Sequence, residues 1–364
     1  MKKILISFGT RPEVIKLAPV IKALENEFEL TVVHTGQHLE LAQSMFELFD
    51  IKPDINLDIM KPNQDLFSLT ADLLPRLKSI LQKVQPDYVM VQGDTTSSYL
   101  SALAAFYLNI PVLHVEAGLR SHNMLSPFPE EMNRRQISVI SHFHFAPTPQ
   151  SKANLIAEGV PELSISITGN TVIDALHMIK NSETYAKARP EILAGMNEGQ
   201  KLGILTAHRR ENHGKPLDKI LKAANQLIEE FKDLILIFPM HPNPNVKRAI
   251  EAAEINSSRF IITEPYSYLP FLHLLSASDL IMTDSGGIQE EAAALGKPVL
   301  VLREETERME LIEANIGTLV GHDIPTILKH ARSILASETN IDPSDVFGDG
   351  KAAQRIKEVL INQL

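Results

Sequence analysis

Short runs of Val, Ile and Leu recur along the chain, and most end on a residue that carries charge or donates a hydrogen bond. YVMVQGD reaches Asp94, VLHVEAG passes Glu116, GILTAH stops at His208, LILIFPMH at His241, LIMTDSGG at Ser285 and VLVLR at Arg303. Runs of this length, each followed by a turn residue and a helical pattern, read as buried parallel strands joined by crossover helices. ILISFG, LTVVHTG, YVMVQGD, VLHVEAG and FHFAPT form a first series, with helical periodicity near residues 13–26, 39–49, 66–84, 96–108 and 131–140. In open sheets of this kind, ligands bind beyond the carboxyl ends of the strands, where the strand order reverses. The pattern thus predicts an α/β protein with its acids, histidines and arginines where a site belongs.

After SISITGN and a helix starting near Val172, a polar stretch from about Asn181 to Gln200 has no steady period and reads as a boundary. A second series follows in GILTAH, LILIFPMH, FIITEP, LIMTDSGG and VLVLR. The expected architecture is two Rossmann-like, doubly wound domains facing each other across a cleft, with residues 1–170 as the first and 171–349 as the second. Residues 350–364 form an amphipathic helix with a route back onto the first domain. A chain of 364 residues exceeds one typical core, which agrees with two domains. The net charge of −10 argues against a nucleic-acid partner while leaving room for a local anion pocket. With no cysteine there is neither a disulfide framework nor a thiolate metal site. Met1-Lys2-Lys3 runs straight into ILISFG, which is too short for a signal peptide, and no apolar stretch approaches the roughly 18 residues of a membrane span. The expectation is a cytoplasmic protein.

Four segments carry candidate chemistry. In FGTRPEVIK, Thr10-Arg11-Pro12-Glu13 fits a capping box with proline in the first turn; a helix start beside Arg11 suits a phosphate, and the alternative is simply a well-capped helix. In DSGGIQEE, residues 284–291, Gly286 and Gly287 let backbone approach a bulky anion, Ser285 adds a hydroxyl, and Glu291 is within reach of ribose hydroxyls. The spacing matches neither the Walker loop nor the dinucleotide fingerprint, so neither ATP hydrolysis nor nicotinamide is expected. In TAHRREN, His208, Arg209 and Arg210 cluster after a strand, as a diphosphate would require, or as a salt-bridged loop would. His241 in HPNPN occupies a like position. The fourth is the acidic set Asp94, Glu116, Glu130 and Glu131, where Asp94 as a helix cap and Glu116 paired with Arg120 are the structural alternatives. His142 and His144 lie two apart without a nearby acid in a ligand pattern and read as core residues.

FGTRPEVIK, GQH, GDTTSS, HVEAGLRS, SPFPEEMNRR, FAPT, TGNTVIDAL, TAHRREN, HPNPNV, TDSGGIQEE, GKPVLVLR, TER and FGDG stand in order from about residue 3 to residue 360. In this the chain resembles the non-hydrolysing UDP-N-acetylglucosamine 2-epimerases of bacteria. The resemblance implies a fold like that of two-Rossmann (GT-B) glycosyltransferases, interconversion of UDP-N-acetylglucosamine and UDP-N-acetylmannosamine without a cofactor, and a homodimer. It implies Asp94, Glu116 and Glu130 as catalytic acids, with His208 beside the departing diphosphate. It implies UDP-sugar contacts from Arg11, Lys16, Arg134, Arg209, His241, Ser285, Gly286 and Gly287, with Phe271 beside uracil, Glu291 on the ribose and Arg308 near the diphosphate. Gln37, His38, Gln64, Arg210 and His241 resemble parts of a regulatory site in some members, although Ser44 stands where a glutamine is often found. TERME, DVFGDG and EAAALG also depart from the commoner TERPE, NPYGDG and EAPSLG, which bears on shape near the nucleotide.

The chemistry restricts the route. The hydrogen on carbon 2 of an N-acetyl sugar is not next to a carbonyl, so a base alone does not remove it. Breaking the bond from carbon 1 to UDP makes it acidic, and the family route passes through UDP and a 2-acetamidoglucal. The rivals are a hydrolysing epimerase that releases N-acetylmannosamine, a glycosyltransferase on the same fold, and a sugar-nucleotide sensor.

Overall fold

The computed structural model describes residues 1–36, 39–61, 64–240, 243–253, 255, 257–337 and 341–363, with backbone alone at 39–42 and 210. Contacts divide the chain into two units, Met1–Met178 with Gly348–Leu364 and Ile179–Phe347. The first contains β1 (Lys3–Phe8), α1 (Arg11–Leu24), β2 (Glu29–His34), α2 (Leu39–Phe49), β3 (Ile55–Asn56), α3 (Leu66–Val84), β4 (Tyr88–Gln92) and α4 (Thr96–Tyr107). It continues through β5 (Val112–Val115), α5 (Glu130–Ile140), β6 (Phe143–Ala146), α6 (Pro149–Ala157), β7 (Ile165–Ile167) and α7 (Thr171–Lys180). Its parallel sheet has the order β3-β2-β1-β4-β5-β6-β7, so the winding reverses between β1 and β4. Ile4, Leu5 and Ile6 of β1 pair in register with Tyr88, Val89 and Met90 of β4.

The strands form because β-branched and leucine side chains project from both faces and helices cover both. On α3, Leu69, Leu73, Leu77 and Leu81 repeat every fourth residue and all are buried, facing Val89 and Val91 of the sheet. Asp65 caps that helix by accepting from the Ser68 N–H at 2.8 Å. Burying each of these leucines stabilises the unit by roughly 1.5–3 kcal/mol before entropy is counted.

The second unit contains α8 (Glu183–Lys187), α9 (Glu191–Ala194), β8 (Lys201–Thr206), α10 (Lys215–Glu230), β9 (Leu234–Pro239), α11 (Pro244–Ala252), β10 (Phe260–Thr263) and α12 (Tyr268–Ala277). It ends with β11 (Leu280–Thr283), α13 (Gly286–Leu295), β12 (Val299–Val301), α14 (Met309–Glu313), β13 (Gly317–Leu319) and α15 (Ile324–Ala336). Its parallel sheet runs β10-β9-β8-β11-β12-β13 and reverses between β8 and β11. Leu221, Leu227, Phe238, Met282 and Leu300 lie in its core. Both sheets are therefore doubly wound, as the strand pattern predicts. The polar stretch around Arg189 contains the two short helices α8 and α9, and the short strands β3 and β13 extend their sheets without a legible run.

The last helix, α16 (Ala352–Gln363), belongs to the first unit and packs on α1. Asp174 accepts the N–H groups of Ala352 and Ala353 at its start, at 3.1 and 2.9 Å. Among the described residues no helix is long and apolar enough to cross a membrane.

Candidate functional site

In the first unit the loops at the carboxyl ends of β1, β4 and β5 meet at the reversal of strand order, where a ligand site is expected. β1 ends at Phe8, and Arg11 opens α1. Glu13 reaches back so that its Oε2 accepts from Gly9 N at 3.2 Å, Thr10 N at 2.8 Å and Thr10 Oγ1 at 2.6 Å. Its Oε1 accepts from Thr95 Oγ1 at 3.0 Å and Ser98 Oγ at 2.7 Å, so one buried carboxyl joins the Arg11 loop to the Asp94 loop. Burial raises its pKa, against the pull of these donors.

Asp94 does not cap α4. Thr95 does, accepting from Ser98 N at 3.1 Å. The Asp94 carboxylate instead receives Arg134, from Nε at 3.1 Å and also from Nη2, while Asn133 donates to its carbonyl at 2.8 Å. Arg134 spans to Glu131 Oε2 at 3.0 Å, and Glu131 also accepts Ser121 N at 3.0 Å. Fully buried Glu131 thus holds α5 and the 121–122 turn, whereas Glu130, one residue earlier, opens α5 and stays partly accessible.

Glu116 follows β5 in the left-handed region at φ 63°, a costly conformation for a residue with a Cβ. Its carboxylate pairs with buried Lys16 and accepts from Asn170 Nδ2 at 3.0 Å. Arg120 instead donates to Glu158 at 2.7 and 2.9 Å, so the alternative Glu116–Arg120 pair is not the one formed. His114, on β5, donates from Nε2 to the Gly93 carbonyl at 2.8 Å, and burial lowers its pKa to about 3. His144 is buried with Nε2 3.0 Å from the Ser138 carbonyl, but His142 is exposed, correcting its assignment to the core: it precedes β6 and misses the inward face. Among the described residues no group of acids and histidines is arranged to hold a metal.

In the second unit, the loops after β8 and β11 meet at the other reversal. His208 and Arg209 follow β8; Asp284 and Ser285 follow β11, with Ser285 as the N-cap of α13. Asp284 is fully buried, and its Oδ2 accepts the backbone N–H of His208 and of Arg209, both at 2.8 Å, and Asn212 Nδ2 at 2.9 Å. Oδ1 lies 3.3 Å from His208 Nδ1.

Gly286 starts α13 directly under the Arg308 guanidinium, where a Cβ would come within 2.3 Å of Nη1. Arg308 donates from Nε to Glu290 at 2.7 Å and pairs with Glu307, which also takes Arg303 at 2.8 Å. Gly287 faces open space. Glu291 accepts from the Tyr268 hydroxyl at 2.6 Å, and half-buried Phe271 lies on the first turn of α12. Gln37, His38 and His241 and the Arg210 side chain lie outside the described residues; Gln64, which accepts from Lys61 N at 3.3 Å, is described.

Three residues at these sites escape sequence reasoning as site residues: Glu13 beyond its cap role, Asn170, and Asp284. Both Asp284 and Asn170 had a signal, since Asp284 directly precedes Ser285 in TDSGG and Asn170 lies in TGNTVIDAL, but the Asn170 contact with Glu116 appears only with the fold.

Residues 22–361 match the family model described as UDP-N-acetylglucosamine 2-epimerase. A Thermotoga maritima protein named a putative UDP-N-acetylglucosamine 2-epimerase is 45% identical over 100% of this chain and 97% of its own. The UDP-N-acetylglucosamine 2-epimerase of Campylobacter jejuni is 42% identical over 99% of this chain and 98% of its own. The crystal structure of the Neisseria meningitidis UDP-GlcNAc 2-epimerase bound to UDP-GlcNAc superposes with a TM-score of 0.93 at 42% identity, covering 99% of this chain and 100% of that one. The Methanocaldococcus jannaschii UDP-GlcNAc 2-epimerase in complex with UDP-GlcNAc and UDP gives 0.87 at 36% identity, covering 100% of both chains. Matched along nearly its whole length in sequence and in fold, the chain belongs to the UDP-N-acetylglucosamine 2-epimerase family.

Proposed function

We infer that the protein epimerises UDP-N-acetylglucosamine at carbon 2 reversibly, giving UDP-N-acetylmannosamine without releasing free sugar. In the forward step the bond from carbon 1 to the β-phosphate oxygen breaks and its electron pair goes to UDP. A carboxylate takes the carbon-2 proton, and a carbon 1–carbon 2 double bond forms in the 2-acetamidoglucal. In the return step a second carboxyl group protonates carbon 2 from the opposite face, and the UDP oxygen captures the cation that develops at carbon 1. Asp94 and Glu130 exchange the proton, and Glu116 supports them or binds the sugar. Arg11, Lys16, Arg134 and Arg209 hold the substrate, His208, Ser285 and the start of α13 stabilise the departing diphosphate, and Phe271, Glu291, Arg308 and His241 complete the nucleotide contacts. The active form is a homodimer that needs no cofactor.

The observation that carries this reading is the set of acids at the first reversal. Asp94 and Glu116 follow adjacent strands and are held by Arg134 and by Lys16 with Asn170, while Glu130 opens the helix that supplies Arg134. Acid–base work needs carboxyl groups fixed in position, and a route through free UDP needs an oxyanion site such as the helix start at Gly286.

Incubation with UDP-N-acetylglucosamine in heavy water is the test. Deuterium at carbon 2 of both UDP-sugars, with no acceptor present, is the expected outcome. Release of N-acetylmannosamine in step with UDP would identify a hydrolysing enzyme, and no exchange would leave a binding protein.

A further inference from the structure

We propose that Asp284 is a positioning residue for His208, fixing the imidazole with its Nδ1–H toward Asp284 and holding it as an imidazolium while UDP departs. The proposal rests on the reading of His208 as the group beside the diphosphate.

The two oxygens of Asp284 have different surroundings. Oδ2 is saturated by the His208 and Arg209 N–H groups and Asn212 Nδ2, and Asn212 also donates to the Leu302 carbonyl at 2.9 Å. The loop after β8 is thereby clamped to the end of β11. Oδ1, though buried, accepts no hydrogen bond among the described residues, and the His208 ring nitrogen Nδ1 lies 3.3 Å from it. A buried carboxylate oxygen without a donor is costly, and the cheapest remedy here is a short approach of Nδ1–H. That contact fixes the tautomer and favours the charged ring, leaving Nε2 as the nitrogen for the leaving group.

Two titratable groups of the same loop are directed elsewhere. Glu211, on the same loop, is engaged by Arg303 Nε at 2.8 Å. His213 lies with Nε2 3.1 Å from the His208 carbonyl, holding backbone rather than ring. Arg209 brings only positive charge, and from the loop after β11 Asp284 sets a carboxylate oxygen 3.3 Å from the ring nitrogen. The arrangement meets an electronic demand: electrons flow onto the β-phosphate oxygen as the bond to carbon 1 breaks, and a hydrogen bond from a cationic ring stabilises that oxygen more than one from a neutral ring.

The test is a long-range proton–nitrogen spectrum of the full chain labelled in histidine, with His208→Asn to assign the signal. In the unsubstituted protein the ring should carry its proton on Nδ1 when neutral. Asp284→Asn keeps an oxygen for the backbone clamp and removes the charge. It should lower the His208 titration midpoint by about one pH unit or more, the scale of a nearby opposite charge. It should also cut kcat for carbon-2 exchange at least ~10-fold with KM little changed. A neutral ring protonated on Nε2 in the unsubstituted protein, or titration curves that superimpose in the two proteins, would overturn the proposal. The spectrum does not depend on turnover, so absence of carbon-2 exchange in the unsubstituted protein would count against the epimerase reading alone.

Discussion

His114 lies on β5 two residues before Glu116 and braces Gly93, the residue before Asp94, so its protonation state bears on both acids. Burial depresses its pKa from 6.5 to about 3. The stability it lends is therefore present above the ordinary histidine range and is lost as pH falls from about 6.5 toward 3, since the unfolded chain takes up the proton first. By pH 4.5 the loss amounts to about 2–3 kcal/mol at 1.36 kcal/mol per unit. His114→Gln, which retains a donor for the Gly93 carbonyl, should flatten urea-unfolding stability between pH 6.5 and 4.5; an unchanged slope would remove the assignment. Asp94→Asn should lower turnover at least ~100-fold if Asp94 exchanges the carbon-2 proton, read by deuterium incorporation. It also leaves buried Arg134 with one carboxylate fewer, so some loss of thermal stability accompanies it.

At the scale of elements, the start of α13 offers a contrast between neighbouring glycines. A methyl group on Gly286 meets a guanidinium already tied to Glu290 and Glu307, so Gly286→Ala should lower both the melting temperature and UDP affinity. Gly287→Ala meets nothing within 4 Å in the protein and should melt normally while binding UDP at least ~10-fold more weakly, as calorimetry would read. The loops at the carboxyl ends of the strands were also the most legible, because hydrophobic runs stop abruptly where a buried parallel strand delivers polar residues to its end. Thus α2 and α3 fall on their predicted bounds, and Asp94, Glu116, His208 and Ser285 sit at strand ends as the runs suggested. Partnerships were not legible. Lys16 with Glu116, Asn170 with Glu116 and Asp284 with His208 are separated by 100, 54 and 76 residues respectively, and only strand order brings them together. The short edge strands β3 and β13 carry too few residues for any period to register.

For the whole molecule, the division of the chain is uneven in sequence: the second unit is one continuous stretch, whereas the first is interrupted by it. Residues 179–347 produced alone should fold cooperatively, as circular dichroism and thermal melting would detect. A chain ending at Phe347 should be compromised in the first unit, because α16, with its buried Ile356 and Leu360, no longer packs on α1 and Asp174 loses both of its amide partners. Each lost aliphatic side chain costs roughly 1.5–3 kcal/mol, enough to lower the melting temperature of the first unit by several degrees. The same interruption has a temporal meaning on the ribosome. Domains ordinarily mature in the order they are translated. Here α16 is translated only after the entire second unit, so the part of the protein begun first is finished last, and until then its α1 surface is an unshielded target for chaperones and for other nascent chains.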